Sequence, residues 1–243
     1  LIDSLRMNQE SKISTVVFKL LCSICPCVLQ NSFDVLVDLL EIIQNGLHSP
    51  IVYNVISALC LIRAISSAIY VVDSNEELSS IWVDSLSYLL GDIITLYSRN
   101  ENDKGLIRVC NGTMIDYLCS FSVKFAPIAI GIIKDSIKSD TNPTIGLQLV
   151  NNVCVSFPNE APKQLIPYFL SRIKEDNPSL QLYVNCFSAA FVACDQLVDF
   201  LPMFSQAIDT LASMKEEKGS ENMRTVFNCV INHLFRVNAE NNS

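Results

Sequence analysis

The segment FAPIAIGIIKDSIKSDTNPTIGLQLVNNVCVSFPNEAPKQLIPYFLSRIKEDNP, residues 125–178, carries its own ruler. Pro127 and Pro162 each stand just inside the start of an amphipathic run, where a missing N–H is harmless, and they are 35 residues apart. Asn142-Pro143 and Asn177-Pro178 each open a more uniformly apolar run, again 35 residues apart. Two independent landmarks with one period are a repeat signal, and a helix pair every 35–50 residues falls in the range of HEAT and armadillo-like arrays. A tetratricopeptide array has a similar period, but the spacing elsewhere is irregular and its W-x-x-L-G-x-x-Y pattern is missing.

Outward from this segment the same two kinds of helix alternate. Amphipathic runs occupy 32–46, 74–99, 125–140, 161–176 and 195–213; in the first, Ser32 is the expected N-cap and Gly46 the stop. More uniformly apolar runs occupy 10–24, 50–72, 104–121, 143–157, 178–193 and 221–237. The connectors are short and rich in turn residues, so neighbouring helices lie antiparallel as hairpins. The spacing predicts an all-α protein, an α-solenoid of HEAT/armadillo-like hairpins with about five to six repeats, forming one continuous domain over 1–243. Stretches such as SALCLIRAISSAI (57–69) and NCFSAAFVAC (185–194) read as helices sandwiched between neighbours, where Ala, Ser and Cys let backbones approach. The β-branched stretches VVFKLL (16–21) and NNVCVSF (151–157) tempt a strand assignment, but their flanks continue at helical spacing.

Composition agrees with this. Half of the 243 residues are apolar and 17% are charged, so most segments must bury a face. Mean hydropathy is +0.33. Seven glycines are few for a sheet protein, and both Gly-rich phosphate cradles are absent, which argues against nucleotide binding by those loops. A net charge of −8 argues against a nucleic-acid surface; plain solubility is the reading adopted for it, and a basic protein partner the alternative. The run 50–72 is long enough to cross a bilayer, but Arg63 near its middle costs roughly 2.5–3.5 kcal/mol there. A buried helix with Arg63 snorkelling to solvent avoids that cost, so no membrane insertion is expected.

Catalytic and metal chemistry find little to work with. The two histidines, His48 and His233, carry no nucleophile signature, and Glu76-Glu77 and Glu216-Glu217 read as helix-start and solvated-loop charges. We therefore expect no enzyme and no cofactor. Ten cysteines fall mostly in apolar runs, as small hydrophobes do in a reducing compartment. The cluster Cys22, Cys25, Cys27 could seed a zinc or iron–sulfur site, but the second short pair that zinc needs is missing. The reading adopted is three buried thiols, with Cys22 facing the core beside Phe18 and Leu21, Cys25 ending the helix, and Cys27 following Pro26 in the turn. The opening LIDSLRMNQE has no basic n-region, so no signal peptide is visible and the chain reads as cut from something longer. The sequons at Asn111 and Asn241 read as accidental.

The stretch 79–157 resembles the later repeats of nuclear transport receptors of the importin-β superfamily, nearest to the transportin-SR branch. The resemblance rests on Ile81-Trp82 followed by a long helix, the RVC run 108–110, Ala126-Pro127 at the next helix start, and LQLVNNV (147–153). ENMRTVFNCVINHLF (221–235) resembles a later helix of the same group. This implies a superhelical receptor that moves between cytoplasm and nucleus and wraps protein cargo on its concave face, with the GTPase Ran controlling loading and release. The family's main Ran contacts lie largely in N-terminal repeats outside this segment. Transportin-SR receptors present an arginine-rich helix to acidic, phosphorylated cargo; the matching helix, LIRVCNGTMIDYL (106–118), keeps only Arg108, which the resemblance marks as the cargo-contact residue. A HEAT-repeat scaffold of a large assembly, such as a proteasome activator, is the alternative.

Overall fold

A computed structural model describes residues 16, 19–29, 33–68, 76–100, 102–139, 143–194, 197–215, 219–228 and 231. Among them the ordered structure is helical, with no strand. The helices are α1 (Lys19–Leu29), α2 (Phe33–Leu47), α3 (Val52–Ser67), α4 (Glu76–Arg99), α5 (Lys104–Cys119), α6 (Ala126–Ser139), α7 (Pro143–Ser156), α8 (Glu160–Leu170), α9 (Leu180–Val192), α10 (Leu197–Ala212) and α11 (219–228). A single 3₁₀ turn, Val123–Phe125, precedes α6. The chain forms two compact units, Leu1–Ile132 and Ile133–Ser243, whose boundary falls within α6.

The two kinds of helix differ in burial as their sequences require. In α2, Leu36, Leu40, Ile43 and Leu47 are buried at helical spacing while Asp34, Asp38 and Glu41 face out, so one stripe does the packing. In α3, 10 of 16 residues are buried, and in α9, 10 of 13. Such helices need neighbours on several sides, and they have them. In the first unit α3 packs on α2 and α5, while α4 packs on α2 and α5. In the second unit α9 packs on α7, α8 and α10, and α10 also packs on α8. Each unit is thus two rows: α2 beside α4 and α3 beside α5 in the first, α8 beside α10 and α7 beside α9 in the second.

Small residues permit this crowding. Ser66 and Ser188, buried in α3 and α9, turn their hydroxyls onto the carbonyls of Ile62 and Val184, both at 2.8 Å, so no donor is left unmet. Gly46 is a case where the sequence reading is corrected. It lies inside the last turn of α2, not beyond it, and no described glycine has positive φ. A Cβ at Gly46 would stand 2.7 Å from the Ala58 Cβ of α3, so close approach of two helices, not helix termination, requires glycine here.

Two other expectations are corrected. The first helix does not stop at Pro26: α1 continues to Leu29, because Cys25 and Leu29, one turn apart, are both buried and that burial outweighs one lost backbone hydrogen bond. The run 161–176 ends as helix at Leu170. Arg172 N donates to Phe169 O at 2.9 Å and Asn177 Nδ2 to Arg172 O at 2.7 Å, fastening a set of turns up to Ser179, and Pro178 bars Asn177 from helical conformation. Pro127 and Pro162 stand at the second and third residues of α6 and α8, as their spacing implied, and Pro143 opens α7. Ser32, Phe18, His233, Cys229, Glu216, Glu217 and Asn241 lie outside the described residues.

Candidate protein-contact surface

Helix α5 begins at a built cap: Asp103 Oδ1 accepts from Gly105 N and Leu106 N, each at 3.0 Å. Its buried side is Leu106, Cys110, Thr113, Met114, Tyr117 and Leu118, which leaves Arg108 exposed on the opposite side. The resemblance-based contact residue is therefore on an accessible helix face, free of any ion pair among the described residues.

A basic residue of the neighbouring helix behaves differently. Arg63, in the middle of α3, donates through Nε to the Asp116 carboxylate of α5 at 2.5 Å. Its guanidinium lies over Gly112, where a Cβ would meet it at 3.7 Å. The side chain is half-buried, and its charge meets a carboxylate on a neighbouring helix instead of reaching open solvent alone. Arg63 thus joins α3 to α5, while Arg108, like Lys104 in the first turn, stays exposed on α5.

At the far end of α4 and α5 sits an aromatic cluster that periodicity alone does not reveal. Trp82 and Tyr117 meet edge to face at 5.1 Å between centroids, Trp82 stacks on Phe121 at 6.0 Å, and Tyr117 meets Phe121 edge to face at 5.0 Å. Their polar atoms are paired. Trp82 Nε1 donates to Ser120 Oγ at 3.0 Å, and Ser120 Oγ donates to Tyr117 O at 2.6 Å. Ser85 Oγ gives its one proton to Trp82 O at 2.6 Å, so the Tyr117 hydroxyl is the donor to Ser85 Oγ at 2.7 Å. Burial drives the Tyr117 phenol well above its ordinary value, although Ser85 opposes this. A recess opens over this cluster, between the first turns of α4 and the connector 120–125, with Lys124 Nζ held 4.8 Å over the Phe125 ring. The signal available in sequence was the chain's one tryptophan with aromatics downstream; the register that brings Ser120 to Trp82 is a tertiary fact.

The cysteines divide by burial. Cys25, Cys60, Cys110, Cys154, Cys186 and Cys194 are buried, Cys22 is half-buried with Sγ 3.5 Å from Ser67 Oγ, and Cys27 and Cys119 are exposed. The expectation of three buried thiols at 22, 25 and 27 is therefore corrected to one, because α1 carries Cys27 round to its outer face instead of into a turn. Burial pushes the Cys25 thiol up to about 11 and those of Cys110, Cys154 and Cys186 up to about 12, so these sulfurs stay protonated and unreactive near neutrality. Among the described residues no three His, Cys, Asp or Glu side chains converge as metal ligands would. His48 caps its own helix, Nδ1 lying 2.8 Å from Gln44 O, and reaches Asp92 of α4 at 3.5 Å. Glu76 is exposed in the first turn of α4. Among the described residues no single helix is long and apolar enough to cross a membrane; one sharply bent pair, α5 with 123–138, passes by length and composition alone.

Comparison with protein-family models, with curated proteins and with solved structures gives no match.

Proposed function

We propose that this chain is a segment of a protein-binding α-solenoid with HEAT/armadillo-like hairpins, serving a karyopherin-type receptor that carries protein cargo between cytoplasm and nucleus under Ran control. The observation that supports it is the two-row stacking within each unit, where α3 and α9 bury most of their residues between neighbours and the one-sided helices α2, α4, α8 and α10 form the other row. Within each unit such stacking leaves the outer faces of several helices accessible, which suits a protein-binding platform. Arg108, exposed on α5, is the cargo-contact residue in this reading. The platform works by binding alone, with no cofactor.

The test is a pull-down from cytosol with the full-length chain, comparing Ran locked to GTP with Ran loaded with GDP. Retention of the GTP form alone, with release of bound cargo, is the expected result. Binding indifferent to nucleotide would sink the transport reading, and co-purification with the subunits of a fixed assembly would replace it with the scaffold.

A further inference from the structure

We propose that the recess over Trp82 binds a carboxylate group of a peptide segment of a protein partner, held by Lys124, Ser79 and Ser122, with the adjoining apolar side chain against Val83 and Phe125. This deepens the protein-binding reading of the preceding section by naming a site and a ligand chemistry.

The argument starts from what the recess has already satisfied. Trp82 and Ser120 line its floor, and their hydrogen bonds to each other and to Tyr117 and Ser85 behind them already use their donors. The rim is different. Ser79 of α4 and Ser122 before the 3₁₀ turn line the recess, and among the described residues neither hydroxyl has a partner; Ser122 stands at an N-cap position without making the cap bond. Lys124 lines it too, its ammonium held over Phe125 and without an ion pair among the described residues. No acid lines the recess, in a chain whose 25 acidic residues outnumber its 17 basic ones. Two hydroxyl donors and an ammonium that line one opening fit an anionic acceptor, and a planar carboxylate takes several such bonds at once. Val83, Phe121 and Phe125 make the remaining wall apolar, which matches a side chain beside that carboxylate and not a lone small ion.

Trp82 is the only tryptophan, so its emission reports the recess directly. The 243-residue chain is titrated with three tetrapeptides: an amidated one with a glutamate between two leucines, its glutamine counterpart, and one with a free carboxy terminus following leucine and no acidic side chain. We expect a saturable change in emission with at least one carboxylate peptide, and binding by the glutamine peptide at least tenfold weaker. Which carboxylate peptide binds more tightly assigns the group to a side chain or to a chain terminus. Lys124 is exposed, so Lys124→Ala leaves thermal unfolding unchanged and weakens binding at least tenfold, while Lys124→Arg stays within threefold. Equal binding by the glutamine peptide, unchanged binding by Lys124→Ala, or no saturable change overturns the proposal. Retention of Ran and cargo by Lys124→Ala alongside a failed titration would overturn the recess alone and leave the receptor reading standing.

Discussion

Arg63 and Asp116 are tied by a charge-assisted hydrogen bond that joins the middle of α3 to α5 across a bare glycine, Gly112. The two side chains are 30% and 40% exposed, so solvent screens the pair and its contribution is that of a surface bridge, about 0.2–1 kcal/mol. A double-mutant cycle with Arg63→Met and Asp116→Asn, read by urea unfolding, should return a coupling energy in that range that shrinks at high salt. A coupling several-fold larger and indifferent to salt would mean a desolvated pair instead.

Two glycines with opposite surroundings provide a second check. At Gly46 an added Cβ meets the Ala58 Cβ at 2.7 Å, and neither atom can swing away, so Gly46→Ala should destabilise by about 1–3 kcal/mol as overpacked sites do. At Gly91, inside α4, an added Cβ meets nothing within 4 Å. Gly91→Ala should therefore stabilise by about 0.5–1 kcal/mol through helix propensity. Chemical denaturation of both variants reads the sign directly, and two changes of the same sign would refute the close-packing explanation.

The contrast between these glycines also shows where sequence stops being legible. Alternating helices and their kinds were readable from apolar spacing and from proline and asparagine landmarks, because burial and helix starts are local properties of the chain. A further landmark was available and supports the same spacing: Pro167 and Pro202, inside α8 and α10, are also 35 residues apart. Gly46 and Pro26 mislead because the pattern of their own helices does not decide them. What decides them is a neighbour, Ala58 against Gly46, or the burial of Cys25 and Leu29 that carries α1 past Pro26. The recess over Trp82 was unreadable for the same reason: Ser120 lies 38 residues further on, and periodicity fixes which face a residue occupies but not its height against the next helix.

Thiol accessibility gives a third test. Cys27 and Cys119 are exposed, whereas Cys25, Cys110, Cys154 and Cys186 are both covered and held protonated. Alkylation of the native chain at neutral pH, followed by peptide mapping, should modify positions 27 and 119 at least tenfold faster than those four. Six molar guanidinium should erase the difference. Early modification at position 25 would contradict the continuation of α1 beyond Pro26.

The same buried groups set the response to alkali. Each thiol has an ordinary value of 9.0, raised by burial to about 11 for Cys25 and about 12 for Cys110, Cys154 and Cys186, and the Tyr117 phenol is raised above its ordinary 10.0. For a group raised in the folded state, the unfolded chain ionises first. The associated stability is fully present below the unfolded value and drains away as pH climbs through the folded one. Urea midpoints measured under reductant should thus be unaffected by these groups below pH 8 and fall steadily from about pH 9 towards 11. Replacing one thiol at a well-buried position, Cys186→Ala, should lower the midpoint at pH 7 through lost packing yet make the decline above pH 9 shallower. A decline of unchanged steepness in that variant would show that Cys186 titrates alike in both states and that its burial is less complete than the packing of α9 against α7 and α8 requires.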